Sequence, residues 1–343
     1  MANSGTRTHS QDSVSSACQN CKRPFVIEPE DFDFYKKIDV PPPTWCPECR
    51  NARRLSFRNE RTLYKRPCNA PGHHEDLISI YSPETQTPVY DNKYWWSDSW
   101  DPLSFGQDFT AEIPLFEQLR TLQKRVPLLC VFNVSQRDSE YASHSYDNKD
   151  CYLVSGSGWN EHVAYANRAM HSKDSYDLYI ADGCEQCSQC LYCKKSNHLF
   201  YSAFSDECTD SFFLFDCRNC SHCFGCSGLR NKSYYIFNQA YSKEDYEARL
   251  LREFDTGSYN ATVQLRTKAA KLSDNLPRKF ARITKSIDST GDNISEAKRC
   301  RDSFDIFDHT EDSRFLLWAG FDTKDCFDGM GLGGGSELQY ENV

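Results

Sequence analysis

Two Cys-x-x-Cys pairs, Cys18/Cys21 and Cys46/Cys49, stand near the start of the chain. Two intervening residues let both sulfurs of a pair face one point, so two such knuckles can close a tetrahedron of thiolates around a zinc ion. All four positions are then filled by protein, the mark of a structural site, whereas a catalytic zinc keeps a place for water. Zinc is the cofactor expected, with Cys18, Cys21, Cys46 and Cys49 as its ligands. A basic run follows the second knuckle: from Arg50 to Arg66 there are seven Lys/Arg against one acid, Glu60. If the chain is helical there, Arg50, Arg54, Arg58 and Arg61 recur at intervals of four, four and three and share one stripe. Together with Arg53, that stripe could follow the phosphates of an RNA. The competing expectation is that these arginines pair with acids of the solenoid or of the aromatic segment, such as Asp98 and Asp101, and are at least partly covered.

Two more cysteine groups, Cys184/187/190/193 and Cys217/220/223/226, have the spacing of an iron-sulfur ligand run. Zinc or iron-sulfur ligation, disulfides and buried free thiols are the three readings open for them. No catalytic pattern stands out. GxSxG, P-loop and HExxH motifs are absent, and Gly331 to Gly335 lacks the following helix that a phosphate cradle needs. His162 and Tyr165, with Glu161 beside them, are not marked as an acid-base set by anything around them.

The residues around the first knuckles carry a resemblance. Cys18-x-x-Cys21-x3-Phe25, Glu28, Phe34-Tyr35 and Cys46-Pro47-Glu48-Cys49-Arg50 resemble the small bacterial family of probable zinc-ribbon or treble-clef domains, over about residues 17 to 54. The resemblance implies a fold and a metal and little about activity. Beyond it, RRLSFRNERTLYKRPC (Arg53 to Cys68) and YWWSDSWDP (Tyr94 to Pro102) are similar to uncharacterised zinc-ribbon proteins of candidate-phyla bacteria. That likeness implies a second pair of CxxC knuckles, but here the matching positions read Cys68-x-x-Pro71 and Asp91-x-x-Tyr94, so three of four ligands are missing. His73 and His74 are the residues that could join Cys68. Trp95, Trp96 and Trp100 could stack on a sugar or a base, but a Trp-rich stretch ahead of a helix-like segment (Glu112 to Val126, with Leu115, Leu119 and Leu122) is expected to plug the end of a core.

What must position the later cysteines is a repeat. Cut from Lys149 in steps of twelve, the chain reads KDCYLVSGSGWN, EHVAYANRAMHS, KDSYDLYIADGC and on through SHCFGCSGLRNK without a gap, with RDSEYASHSYDN (Arg137 to Asn148) as a further unit in front. Positions 3, 6, 9 and 12 are almost entirely small or apolar, a sustained period of three that fits neither a helix nor a simple strand. It predicts a narrow parallel β-solenoid in which every third side chain points inward. Each clustered cysteine occupies such a position, where a reduced thiol acts as a small hydrophobe. Such coils resemble those of insect antifreeze proteins, without the Thr ladder of an ice face. A wider coil holding two units per turn, with Tyr152, Tyr176, Phe200 and Phe224 stacked, is the alternative. The repeat stops after Asn238, and Ser242 suits the N-cap of a helix to about Phe254. A second basic segment runs from Arg266 to Lys285. Looser echoes then resume at Arg301-Asp302-Ser303, Glu311-Asp312-Ser313 and Lys324-Asp325-Cys326, spaced by ten and thirteen.

The fold expected is therefore mainly β: a four-Cys zinc ribbon or treble clef followed by a parallel β-solenoid of twelve-residue units, or of twenty-four-residue coils, with a helical insertion. Its parts are a disordered tail (1-16), a zinc-binding module (17-67), an aromatic-rich connector and helix (68-136), the solenoid (137-238), a helical basic insertion (239-286) and further solenoid-like repeats (287-343). A net charge of -9 excludes a generally basic nucleic-acid coat, and no run of 18 apolar residues offers a membrane span. The polar first sixteen residues lack an apolar export segment, so a cytoplasmic protein with reduced cysteines is expected. A non-catalytic zinc-binding scaffold or assembly protein is the function expected, with a protein partner or self-assembly along the solenoid. An RNA-binding protein using the basic segment is the alternative, and an enzyme with a site not visible in sequence is the second alternative.

Overall fold

A computed structural model describes residues 13–254 and 256–343, which divide into two compact units. One joins the chain up to Asn59 with Arg278–Val343; the other is Glu60–Pro277. Most of the tail expected at the N-terminus lies outside the described residues, but Val14 to Ser16 belong to a strand.

In the larger unit, eight strands from Tyr152–Ser155 to Ser233–Ile236 lie parallel in one sheet, and each pairs with the next at a constant offset of twelve residues. Tyr152 meets Ala164, Ala164 meets Tyr176, Tyr176 meets Ser188, and Ser188 meets Phe200. Tyr152, Tyr176 and Phe200 thus share a column but are separated by Ala164 and Ser188, so the aromatic stacking expected of a two-unit coil does not occur. Parallel bridges at the same offset recur elsewhere around the repeat, for example Asp182↔Lys194, Lys194↔Asp206 and Asp206↔Arg218.

The reason for the period of three lies in the backbone. From Asp147 to Phe237 nearly every third residue has φ near +50°, as in Asp150, Leu153, Trp159 and His162, with glycine at Gly156 and Gly183. A left-handed residue turns the chain, so each three-residue step reads ladder residue, corner residue, buried residue. Asp, Asn, His and Gly tolerate that conformation best, which explains their frequency at the middle position. The third residue of each step is buried: Cys151, Val154, Ser157, Val163, Ala166 and Ala169 are all at most 4% exposed.

An antiparallel strand, Gln239–Ala240, ends this sheet. Two helices follow at Lys243–Glu253 and Tyr259–Asp274, the first capped by Ser242, whose Oγ accepts the Asp245 amide at 3.1 Å. Tyr246 and Ala269 pack on Phe213, Phe224 and Ile236. Ahead of the sheet, the hairpin Tyr64–Pro67/Asp76–Ser79 and the strand pair Val89–Tyr90/Leu128–Leu129 surround a small core of Cys68, Leu77, Val89, Tyr90 and Cys130. Trp95 and Trp100 pack against this core, as expected, while Trp96 stays 65% exposed. The helix Leu115–Arg125 forms, but its leucines are not the buried stripe the spacing predicts. Leu115 and Leu119 are exposed, and Gln118 is the buried residue, bonded to the backbone of Thr110 and Ile113.

In the smaller unit, an antiparallel hairpin β1–β2 (Val14–Ala17, Pro24–Ile27) leads to α1 (Pro29–Lys37) and α2 (Pro47–Leu55). Five short parallel strands between Ile283 and Leu332 form a second sheet. Its offsets rise from eleven (Ile283↔Ile294) through twelve (Gly291↔Ser303) to thirteen (Phe304↔Leu317 and Leu317↔Met330). The two parts share a core: Phe34 of α1 stacks on Phe327 at 4.0 Å, with Tyr35 and Tyr340 edge-on. The cysteine module therefore does not form a unit of its own over 17–67. Residues 64–67 pair inside the larger unit, and the module packs with the C-terminal strands.

Candidate metal centre

Cys18 and Cys21 sit in the turn of the β1–β2 hairpin. Cys18 N–H donates to Arg23 O and Lys22 N–H to Cys18 O, both at 2.9 Å, and Lys22 takes φ +64° to close the knuckle. The second pair is set by a helix start. Cys46 is the N-cap of α2, Pro47 occupies the first helical position, where its missing N–H costs nothing, and Cys49 falls in the first turn. All four sulfurs lie within 4.8 Å of one another, with Cys21 Sγ 3.7 Å from Cys46 Sγ. Cys18, Cys46 and Cys49 are buried and Cys21 is partly exposed.

Donors surround this group. Cys18 Sγ accepts the Cys46 amide at 3.2 Å, and Cys49 Sγ accepts Asn20 Nδ2 at 3.3 Å. Burial opposes ionisation of Cys18, but the amides of Cys46, Cys21 and Asn20 outweigh it and bring that thiol down to about 6. The Arg23 side chain and amide lower Cys21 as well, whereas burial pushes Cys46 up to about 12. Four thiols this close cannot all ionise without a positive charge between them, and a divalent cation supplies it. The donor set and its geometry therefore fit a metal ion.

The five arginines are placed differently from a phosphate-tracking stripe. α2 ends at Leu55, so Arg58 and Arg61 lie beyond it and no continuous helical stripe exists. Arg50 and Arg54 point into the unit, 1% and 4% exposed, and both pair with the buried Asp328, at 2.9 and 3.2 Å. Arg50 also donates to Trp45 O at 2.6 Å, and Arg53 pairs with Glu341. Arg61 donates to Asn167 at 2.9 Å and lies over the Tyr179 ring. Pairing with acids is what the competing expectation held, but the acids are Asp328 and Glu341 rather than Asp98 and Asp101. Asp328 stands near the other end of the chain, so its pairing leaves no local signal in the sequence.

The repeat cysteines form no metal cluster among the described residues, and all are free thiols. Each does what a serine does at the same position. Ser175 Oγ donates to Lys173 O at 2.7 Å and accepts the Cys187 amide twelve residues on at 2.9 Å. Cys187 Sγ likewise donates to Glu185 O at 3.3 Å. A second group joins Cys68 and His73 to Asp91 and leaves the exposed His74 out. Glu296, Asp308 and His309 form a third group at the surface. No helix among the described residues is long and apolar enough to cross a membrane. Compared with known proteins, the chain matches no family model, no curated protein and no solved structure.

Proposed function

We propose that this protein is a non-catalytic, zinc-binding scaffold built on a β-solenoid of twelve-residue coils, which presents its side face to a protein partner or to another copy of itself. The constant twelve-residue offset carries this reading, because a coil of two units would pair residues two units apart. Large side chains stand outward on one face of the solenoid: Tyr152, Tyr165 and Tyr176 are each between 44% and 54% exposed, and Tyr152 and Tyr165 pack edge-on at 5.7 Å. Aromatic side chains of this kind anchor protein interfaces. Zinc is the ion that an all-thiolate tetrahedral set favours. A knuckle in a hairpin turn followed by two ligands at a helix start supports the likeness to zinc-ribbon and treble-clef domains. The RNA reading loses support from the engagement of Arg50 and Arg54 by Asp328.

Two measurements on the full chain test this. Light scattering of the parent and of Tyr165→Ser/Tyr176→Ser should show a self-assembly, or a co-purifying protein, that the double variant loses. The ratio of absorbance at 260 to 280 nm should be that of protein alone and should not change after a high-salt wash. A ratio that falls after the wash, with no effect of the tyrosine changes, would replace the scaffold by the RNA binder.

A further inference from the structure

Three side chains of different chemistry converge in the larger unit, remote in sequence from the four-cysteine group. Cys68 follows the strand Tyr64–Pro67 and is 5% exposed. The next residues form a turn: Gly72 takes φ +78° and the His73 amide donates to Ala70 O at 3.1 Å, which carries the His73 ring back over Cys68. Asp91 arrives from the other side as the N-cap of the one-turn helix Asn92–Trp95. Its Oδ1 accepts the Tyr94 amide at 2.9 Å, which fixes the carboxylate and leaves Oδ2 facing the other two groups. Cys68 Sγ is 3.4 Å and His73 Nδ1 3.0 Å from Asp91 Oδ2, and the three ligand atoms lie within 4.8 Å of one another.

We propose that Cys68, His73 and Asp91 are the protein ligands of a second metal site, of the zinc or cobalt(II) class, with its fourth position open to water or another exchangeable ligand. One sulfur, one imidazole nitrogen and one carboxylate oxygen suit a borderline transition metal and suit neither calcium nor magnesium, which take oxygen ligands. Three features prepare the site. The Ala70 amide points at Cys68 Sγ at 3.4 Å, a donor that stabilises a thiolate. Tyr94 packs edge-on against the His73 ring at 4.9 Å and limits its rotation. Asp91 is pinned through the oxygen that does not face the site. His73 Nδ1 also lies 2.8 Å from Glu75 Oε1, so the exposed Glu75 competes for the imidazole until a cation draws it to the site. Unlike the four-thiolate group, this set fills only three positions, and the His73 side chain is 30% exposed, so the fourth side is reachable from solvent. Three-ligand sites of this kind bind exchangeable ligands, whereas closed four-cysteine sites do not.

The test uses the full chain, reconstituted with zinc and, separately, with cobalt(II), and counts metal per chain by elemental analysis. His73→Ala and Cys68→Ser should each lose one metal equivalent relative to the parent, while His74→Ala loses none. The count is a difference, so it holds whether or not the four-cysteine group binds: the parent falls from two to one if it does and from one to none if it does not. His73 lies in a partly exposed turn, so its variant keeps the test valid if Cys68→Ser misfolds. Cobalt bands present in the parent and missing from His73→Ala should shift when imidazole is added. Equal metal content in parent, His73→Ala and Cys68→Ser would reduce the trio to a hydrogen-bonded turn and overturn the site, and bands indifferent to imidazole would overturn its open position.

Discussion

The two parallel sheets solve one problem in two ways. Along the parallel sheet of the larger unit, from Tyr152 to Ile236, every offset is twelve and every corner is a single left-handed residue, so buried side chains follow at a strict interval of three. In the smaller unit the offset reaches thirteen, and the extra residue always sits at the same corner. Asp308 and His309, Phe321 and Asp322, and Gly334 and Gly335 are consecutive left-handed pairs, thirteen residues apart from pair to pair. Behind each pair stands a hydroxyl residue, Thr310, Thr323 or Ser336, whose Oγ donates to the carbonyl three residues back, at 3.2, 2.7 and 2.6 Å. In the strict sheet the matching bond reaches only two residues back, as in Ser175 to Lys173. A longer repeat is thus obtained by doubling one corner and bracing it with a hydroxyl, without disturbing the ladders on the other sides.

The sheets also differ in what they lean on. The strict one has ten buried cysteines among its core residues; the wider one has Cys300 and Cys326 and borrows Phe34 and Tyr35 from the cysteine module. Stripping the four-cysteine group of its proposed metal should therefore break them apart in stability, and this is the largest effect expected. Structural zinc contributes on the order of 10 kcal/mol to modules of this size. Chelation, or Cys46→Ser, should expose the amides of 14–59 and 303–332 to hydrogen exchange while those of 149–236 stay protected. Protection lost evenly through both regions would show that the strict sheet has no stability of its own.

Alkaline pH should act in the opposite direction. Burial pushes the Cys300 thiol from 9.0 up to about 11 and also raises Cys151 and Cys326. A buried thiol with a raised pKa stays protonated where the unfolded chain has already released its proton. The native state then binds more protons, so stability is unaffected below about pH 9 and falls between 9 and 11. For Cys300 alone the loss is on the order of 3 kcal/mol once pH passes 11. With more such thiols, the strict sheet should open first. Pulse alkylation across this pH range, read by mass spectrometry, should label Cys151 and its neighbours before Cys300 and Cys326; the reverse order would contradict the comparison.

Much of this is legible in the sequence, and the gaps have physical causes. The period of three and the step of twelve follow from KDC, YLV and SGS read in triplets, because buried positions tolerate few residue types. The preference for Asp, Gly, Asn and His at the middle of each triplet is a visible signal of left-handed corners, which periodicity alone does not draw out. The spacing of thirteen is visible too, but the doubled corner behind it is not, since Phe321 gives no hint of a left-handed backbone. Knuckle spacing suffices for Cys18, Cys21, Cys46 and Cys49, whereas the fate of Arg50 and Arg54 hangs on Asp328, a pairing that only the fold brings together. Asp91 stands in the sequence as a missing cysteine, and its role as a cap facing Cys68 depends on a loop geometry that spacing does not encode.

Within the strict sheet, substitution should separate the outward ladder from the core. Ala166→Trp puts an indole into a position that is 4% exposed and should cost about 1 to 3 kcal/mol or more. Lys173→Ala removes a half-exposed side chain and should stay within about 0.5 kcal/mol. Denaturant melts of the two variants should differ accordingly, and equal tolerance would refute the inward assignment.

The smallest effect probes the doubled corner itself. Thr323 is fully buried, and its hydroxyl serves the Gly320 carbonyl across the Phe321–Asp322 pair. Thr323→Val keeps the shape and the apolar methyl but leaves that carbonyl without its side-chain donor, which should cost about 1 kcal/mol and at most about 3 kcal/mol. Thr323→Ser restores the donor and should recover most of the loss, although it gives up a buried methyl worth about 0.8 kcal/mol. In the strict sheet Ser175→Ala breaks a bond that reaches two residues back and also deprives the Cys187 amide of its acceptor, so a similar loss is expected there for a different reason. The informative quantity is therefore local: hydrogen exchange at Phe321 and Asp322 should speed up in Thr323→Val and return in Thr323→Ser. If Thr323→Val leaves exchange at this corner unchanged, the hydroxyl is not what braces it, and the constant thirteen-residue spacing must be held by the ladders on either side.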